Sequence, residues 1–142
     1  NDNKLGAIFM DMRNSSDFSD RNTIIYGHHL NVSPDMFSRL HLYEDEEFCK
    51  KHPDFYIYTP DGKVRTYTVF SAGVVNAAAD NYDIEFASDE EFEQYIEICR
   101  ESSNYQVDVE VNAQSQIVSL STCTGDRRDE RFLLQGVLTS VD

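Results

Sequence analysis

Ile117-Val118-Ser119-Leu120-Ser121-Thr122-Cys123-Thr124, then Gly125-Asp126-Arg127-Arg128-Asp129-Glu130, then Arg131-Phe132-Leu133-Leu134, is the stretch around which the rest of the chain is arranged. Its first eight residues have the β-branched, alternating pattern of a strand, and Arg131 opens a second one. The six residues between are polar and charged throughout and read as a loop. A thiol therefore stands at a strand end, at the lip of a loop, with a cation at the start of the neighbouring strand. A partly exposed cysteine near a positive charge is favoured as the thiolate, its nucleophilic form. Such a nucleophile is usually served by a base or proton donor. The candidate is His28, which follows the apolar run Asn22-Thr23-Ile24-Ile25-Tyr26-Gly27 and precedes His29. On spacing alone, a merely buried cysteine at a strand end competes with this reading.

Upstream, Tyr105 to Val111 alternates as a half-buried strand, with Val107, Val109 and Val111 on one face. Ser88-Asp89-Glu90-Glu91 reads as a capping box, and Phe92, Tyr95, Ile96 and Cys99 follow at i, i+3, i+4, i+7, which predicts an amphipathic helix. Val74 to Asp83 has no clear period and reads as a loop. Phe55 to Thr59 and Val64 to Ala72 flank Pro60-Asp61-Gly62-Lys63, a turn sequence that makes them a hairpin. Ser33-Pro34 starts a short helix with Met36, Phe37 and Leu40 on its apolar side. A second short helix covers Glu44 to Lys51 and is stopped by His52-Pro53. Asn22 to Gly27 and Lys4 to Met12 read as strands, the latter ending in the polar loop Arg13-Asn14-Ser15-Ser16-Asp17. Many strands joined by short turns, with few helices, imply a mainly antiparallel barrel or sandwich. No repeat or linker divides the 142 residues, which read as one domain.

Composition narrows the function classes. The chain carries 26 acidic and 12 basic side chains, a net charge of −14. Binding to a phosphate backbone needs a basic footprint, so nucleic acid is not expected as a partner. A polybasic membrane-surface patch is missing as well, and the acidity reads as a solvated, self-repelling surface. An apolar content of 40%, with eight tyrosines and nine phenylalanines, argues for a packed globule. Three cysteines without a pairing pattern do not indicate a disulfide framework. No run approaches the roughly 18 apolar residues needed to span a bilayer, and no signal peptide opens the chain. Paired ligands of the Cys-x-x-Cys or His-x-x-x-His kind do not occur, so neither metal nor other cofactor is expected. The acidic run Glu44-Asp45-Glu46-Glu47 reads as a solvated helical face.

Leu120-Ser121-Thr122-Cys123, with Arg131 opening the next strand and Tyr26-Gly27-His28 far upstream, resembles the sortase signature. The match is ordered along almost the whole chain, through Phe9-Met10-Asp11, Tyr56-Ile57-Tyr58-Thr59-Pro60-Asp61-Gly62-Lys63 and Val69-Phe70-Ser71-Ala72. A helical insert between Tyr82 and Tyr105 separates class B sortases from class A, so the resemblance is to class B. Sortases are cysteine transpeptidases that attach proteins to the Gram-positive cell wall. The resemblance implies a mainly β fold: a sortase-type antiparallel β-barrel with short peripheral helices and a helix inserted before the last three strands. It also implies an N-terminal signal-anchor, helices and a first strand ahead of the segment that starts here. Residues 1–142 are then one catalytic domain lacking those parts. Its expected place is the extracellular face of the membrane, as a monomer. The implied partners are the sorting-signal peptide of secreted surface proteins and an amine of the peptidoglycan cross-bridge or its lipid-linked precursor.

The family's roles carry over residue by residue. Cys123 is the expected nucleophile, attacking the carbonyl between threonine and the next residue of the sorting signal. His28 is the expected proton donor to the leaving amine and acceptor from the incoming one. Neighbours in extended backbone point to opposite faces, so His28 and His29 cannot both serve; the family places the first histidine after the glycine in the site. Arg131 cannot act as a base, but its fork can hold a carbonyl or developing oxyanion. Arg127 and Arg128, in the loop, are the rival cations. Ser121 matches the substrate-contacting serine of the class, Thr122 lies beside it, and the Thr124 backbone N–H is a candidate oxyanion donor. Tyr82 matches an aromatic lining the substrate groove. Cys49 and Cys99 read as structural, Cys99 on the apolar helix face. A papain-like peptidase would place its cysteine at a helix start and its histidine after it, the reverse of the order here. A barrel that binds cell-wall peptides without turnover is the non-enzyme alternative. Within the class, members anchor haem-uptake proteins or polymerise pilins, and the residues do not choose between these roles.

Overall fold

Runs rich in β-branched and aromatic residues give the chain one sheet. In the computed structural model, which describes residues 8–27, 36–124 and 127–142, six strands hydrogen-bond in the order β1-β2-β5-β6-β4-β3. They are β1 (Ile8–Met10), β2 (Asn22–Gly27), β3 (Asp54–Tyr58), β4 (Val64–Asn76), β5 (Ile117–Thr124) and β6 (Arg127–Val141). Helices α1 (Glu46–Lys51) and α2 (Asp89–Glu101) and 3-10 segments at Met36–Glu44 and Asp80–Tyr82 complete the described elements. The fold is mainly β with short peripheral helices, as expected.

Four neighbouring pairs are antiparallel, while β2 and β5 run parallel. Parallel neighbours need a long crossover, and here it holds everything from the first 3-10 segment to α2. The parallel pair brings two carboxyl ends side by side, Tyr26 opposite Ser121 and Gly27 opposite Thr122.

The β3–β4 hairpin forms where Pro60-Asp61-Gly62-Lys63 predicts it. Gly62 adopts φ 85°, which only glycine takes without strain, and Asp61 accepts from the Thr59 hydroxyl (2.6 Å) and the Lys63 amide (3.1 Å). Helix α2 is N-capped by Ser88, whose hydroxyl accepts from the Glu91 amide at 3.1 Å. The reciprocal arm of the capping box is displaced by one residue, because the Glu91 carboxylate accepts from the Ala87 amide. Arg21 ties this helix start to the sheet through Asp89 at 2.6 Å, with its guanidinium 5.0 Å from the centre of the Phe92 ring.

Three expectations are corrected, the first being that Val74 to Asn76 is not loop but the end of β4. Tyr105 to Val111 is not a strand, so α2 precedes two strands rather than three. The predicted alternation holds, with Tyr105 buried, the three valines half-buried and Gln106, Asp108 and Glu110 exposed. The ladder is missing because Arg100 occupies it, donating to the Val107 and Val109 carbonyls at 3.1 and 2.7 Å. The stretch from Arg127 to Glu130 is also not loop. Strand β6 begins at Arg127 because β4 runs past Ala72 to Asn76 and supplies partners, pairing Asn76 with Glu130 and donating from Ala77 N to Asp129 O at 2.8 Å. Arg131 is therefore the fifth residue of its strand, and Arg127 and Arg128 belong to the same strand.

The main core lies on the sheet face lined by Phe55, Tyr67, Val69, Leu120, Phe132 and Leu134. A second cluster, with Phe70 and Ile117, receives Phe92, Tyr95, Ile96 and Cys99 of α2. A third gathers Ile24, Val75, Ile84 and Leu133 around Tyr82, beside the end of the parallel pair. It is this third cluster that builds the wall of the site.

Candidate active site

Alternation along β5 sends Val118 and Leu120 into the main core and leaves Ile117, Ser119 and Ser121 facing α2 and the 3-10 turn at Asp80–Tyr82. Buried hydroxyls on that face need partners. Ser119 donates to Asn22 Oδ1 at 2.7 Å and receives from Gln135 Nε2 at 2.9 Å. The Tyr95 hydroxyl receives from Asn22 (2.8 Å) and Gln135 (2.9 Å) and donates to the Asn81 carbonyl (2.6 Å). This fully buried network joins β2, β5, β6, α2 and the 3-10 turn directly beneath the strand ends. Ser121 and Tyr82, both buried, share a hydrogen bond of 2.7 Å.

Beyond Ser121 the strands deliver the reactive positions. Cys123, the second-last residue of β5, is in register with Arg131 of β6. The register breaks immediately afterwards, so that Thr124 pairs with Arg127 and the intervening residues of β6 bulge out of the β5 ladder. Arg131 is half-buried and donates to the Glu130 carbonyl at 3.0 Å. Thr122 is buried, and its hydroxyl has no hydrogen-bond partner among the described residues. The backbone thus brings together Cys123, Arg131, Ser121, Thr122 and Tyr82. His28 and His29 lie outside the described residues; Gly27, bonded to His28, pairs with Thr122, the residue before Cys123.

The rival thiols are placed as structural residues. Burial pushes the Cys99 thiol up to about 11, and it raises the Cys49 thiol as well. A protonated, enclosed thiol is a poor nucleophile.

Three residues beside the site were not singled out for roles from the sequence. Arg13 grips Asp11 with its backbone amide, Nε and Nη2, each at 3.0 Å. The Tyr26 hydroxyl donates to the same carboxylate at 3.0 Å. Hydrogen bonding from Arg13 holds Asp11 well below the usual carboxylate range, at about 2, while burial, aided by Asp11, pushes Tyr26 up to about 12. The Tyr26 ring lies parallel to Tyr82, 6.2 Å between centres with an interplanar angle of 6°. Arg13 completes a circuit by donating to the Tyr82 carbonyl at 3.2 Å. Asp11 and Tyr26 both fall within stretches that carry the family resemblance, which was the only signal available. No local spacing links residues 13 and 82. Among the described residues no group of three or more His, Cys, Asp or Glu side chains is arranged to hold a metal.

The family model described as the sortase domain matches residues 1–139. The chain belongs to the sortase family. Among relatives, this sortase is 35% identical over 141 residues to sortase B of Listeria monocytogenes, covering 96% of the chain and 56% of the relative. It superposes on the Staphylococcus aureus sortase B–substrate complex with a TM-score of 0.82 at 27% identity, covering 94% of this chain and 62% of that one. A sortase B structure complexed with triglycine gives a TM-score of 0.81 at 29% identity, covering 94% and 63%. Each of these relatives is a class B sortase. The chain spans about half the length of the curated relatives it matches.

Proposed function

We propose that this sortase is a cysteine transpeptidase, and the observation that carries the reading is the register of Cys123 with Arg131 at the end of a parallel strand pair. Directly opposed residues of an antiparallel pair lie on one face of the sheet. An arginine in register with a cysteine can favour the thiolate and hold negative charge developing on a carbonyl oxygen. His28 follows directly in the chain after Gly27, which is paired with Thr122, the neighbour of Cys123. That supports His28 as the proton-transfer partner.

In this reading the Cys123 thiolate attacks the carbonyl carbon of a threonine in the bound peptide. The C–S bond forms, the C–N bond to the next residue breaks, and the departing amine takes a proton from the His28 imidazolium. An acceptor amine then gives its proton to His28 and attacks the thioester. A new amide forms, the C–S bond breaks and the thiolate is restored. Arg131 and the Thr124 N–H stabilise the tetrahedral oxyanions, and Ser121 and Tyr82, buried against each other, back the peptide's groove, while Thr122 alternates to the opposite face of β5. The substrate complex and the triglycine complex of the related sortases support a peptide and an amine as the two reactants. We read the peptide as the C-terminal sorting signal of a secreted surface protein. The amine belongs to the cell-wall cross-bridge or its lipid-linked precursor, and the reaction takes place on the outer face of a Gram-positive membrane. No helix among the described residues is long and apolar enough to cross a membrane.

Mass spectrometry with a panel of sorting-signal peptides, with and without oligoglycine or a diaminopimelate-type amine, tests this directly. An acyl adduct on Cys123, cleavage after threonine and amine-dependent product are expected, and Cys123→Ala abolishes all three. Peptide binding with no adduct would replace the enzyme reading by a binding barrel.

A further inference from the structure

Resting on the transpeptidase reading, we propose that Asp11 and Arg13 are positioning residues that fix the Tyr82 hydroxyl against Ser121 and so set the peptide-binding wall of the groove. Four residues from three separate segments close a circuit. Asp11 is held by Arg13, Arg13 donates to the Tyr82 carbonyl, the Tyr82 ring stacks on Tyr26, and the Tyr26 hydroxyl returns to Asp11. The Tyr82 hydroxyl reaches out of this circuit to Ser121 at 2.7 Å. Each link constrains a different freedom of Tyr82. The Arg13 bond fixes its backbone, the Tyr26 stack fixes the plane of its ring, and Asp11 fixes Tyr26.

The arrangement is built for holding rather than for chemistry. Asp11 is mostly enclosed, its side chain only 11% exposed, and both its oxygens are occupied by donors. Removing one oxygen as an acceptor places an N–H₂ among donors and opens the circuit. The polar links run through a charged pair, and hydrogen bonds to charged groups are the stronger kind. Tyr82 belongs to a short 3-10 turn whose cap has no side-chain hydrogen bond of its own, so its orientation is set by these tertiary contacts.

Steady-state kinetics of peptide cleavage by Asp11→Asn, Tyr82→Phe and the double variant provides the test. Asp11→Asn raises KM about 3- to 10-fold with kcat within about twofold of wild type, the range that loss of a partly exposed, charge-assisted hydrogen bond covers. Combined with Tyr82→Phe, which lacks the hydroxyl being positioned, it adds nothing further. A residue that only stabilises the fold gives no such coupling in KM. An unchanged KM in Asp11→Asn, or effects that add in the double variant, overturns the proposal. If Asp11→Asn does not fold, Arg13→Lys keeps the charge but lacks the second donor arm to the Tyr82 carbonyl. It should raise KM likewise, and wild-type KM in that variant overturns the proposal. Amide ¹H–¹⁵N shifts give a readout without turnover, since Asp11→Asn displaces the Tyr82 and Ser121 signals. If wild type forms no acyl adduct, the transpeptidase reading falls, and unmoved Tyr82 and Ser121 amides then separately defeat the circuit.

Discussion

Tyr95 shows what a single polar residue does in this core. It is fully enclosed and its hydroxyl holds Asn22, Gln135 and the Asn81 carbonyl at once. Tyr95→Phe leaves two buried donors and one acceptor short of a partner, so a loss of about 2–3 kcal/mol is expected, read by urea denaturation. Asp11 acts differently, through pH. Its carboxyl is held at about 2 against an ordinary 3.8. Because the folded value is depressed, its contribution is fully present above the unfolded value and is lost as the pH falls from near 3.8 through about 2. Arg13 is more than half exposed, so solvent screening holds the contribution to about 1 kcal/mol. Wild type should therefore lose more stability than Asp11→Asn between about pH 5 and pH 2, and equal losses would show that the pairing with Arg13 contributes little. At this scale Cys123, His28 and Arg131 were already candidates from the strand-end pattern, and the family resemblance gave them their roles. Asp11 and Arg13 were not picked out for a role, because a salt bridge two residues apart in a polar loop has no distinguishing pattern in the chain.

At the scale of elements, periodicity was a good guide wherever one face is buried. The i, i+3, i+4, i+7 positions of α2 are the residues that enter the core, and the Pro60–Lys63 turn is where the hairpin reverses. It failed where backbone partners come from distant side chains. Alternation from Tyr105 to Val111 correctly gave the buried face, yet the Arg100 guanidinium took the carbonyls a neighbouring strand would have used. The charged run Arg127–Glu130 reads as loop by composition, and became strand because β4 extends far enough to pair with it. Close packing between elements makes one glycine testable. A Cβ on Gly136 would lie 2.6 Å from the Phe55 ring and 2.9 Å from Tyr67 Cβ. Gly136→Ala forces β3, β4 and β6 apart and should cost about 1–3 kcal/mol, visible as a lowered Tm. No change would mean that Phe55 moves aside freely.

The whole molecule sorts three chemically identical thiols. Cys99 lies at the α2–sheet interface, Cys49 under the α1 side of the core, and Cys123 near the end of β5 beside Arg131 in register. Alkylation of the native protein near neutral pH, mapped by mass spectrometry, should mark Cys123 first, with Cys49 and Cys99 labelled only after unfolding. Early labelling of Cys99 would contradict its burial. The sequence by itself determined the strand-rich class, the amphipathic helix, the hairpin and the residues of the family signature, because these are properties of local pattern and residue chemistry. Only the tertiary structure decided that β2 and β5 run parallel, that Cys123 comes into register with Arg131, and that Arg13 reaches Tyr82. These depend on strand order and register, which are fixed by burying side chains from residues up to a hundred positions apart in the chain and leave no trace in the spacing of neighbours.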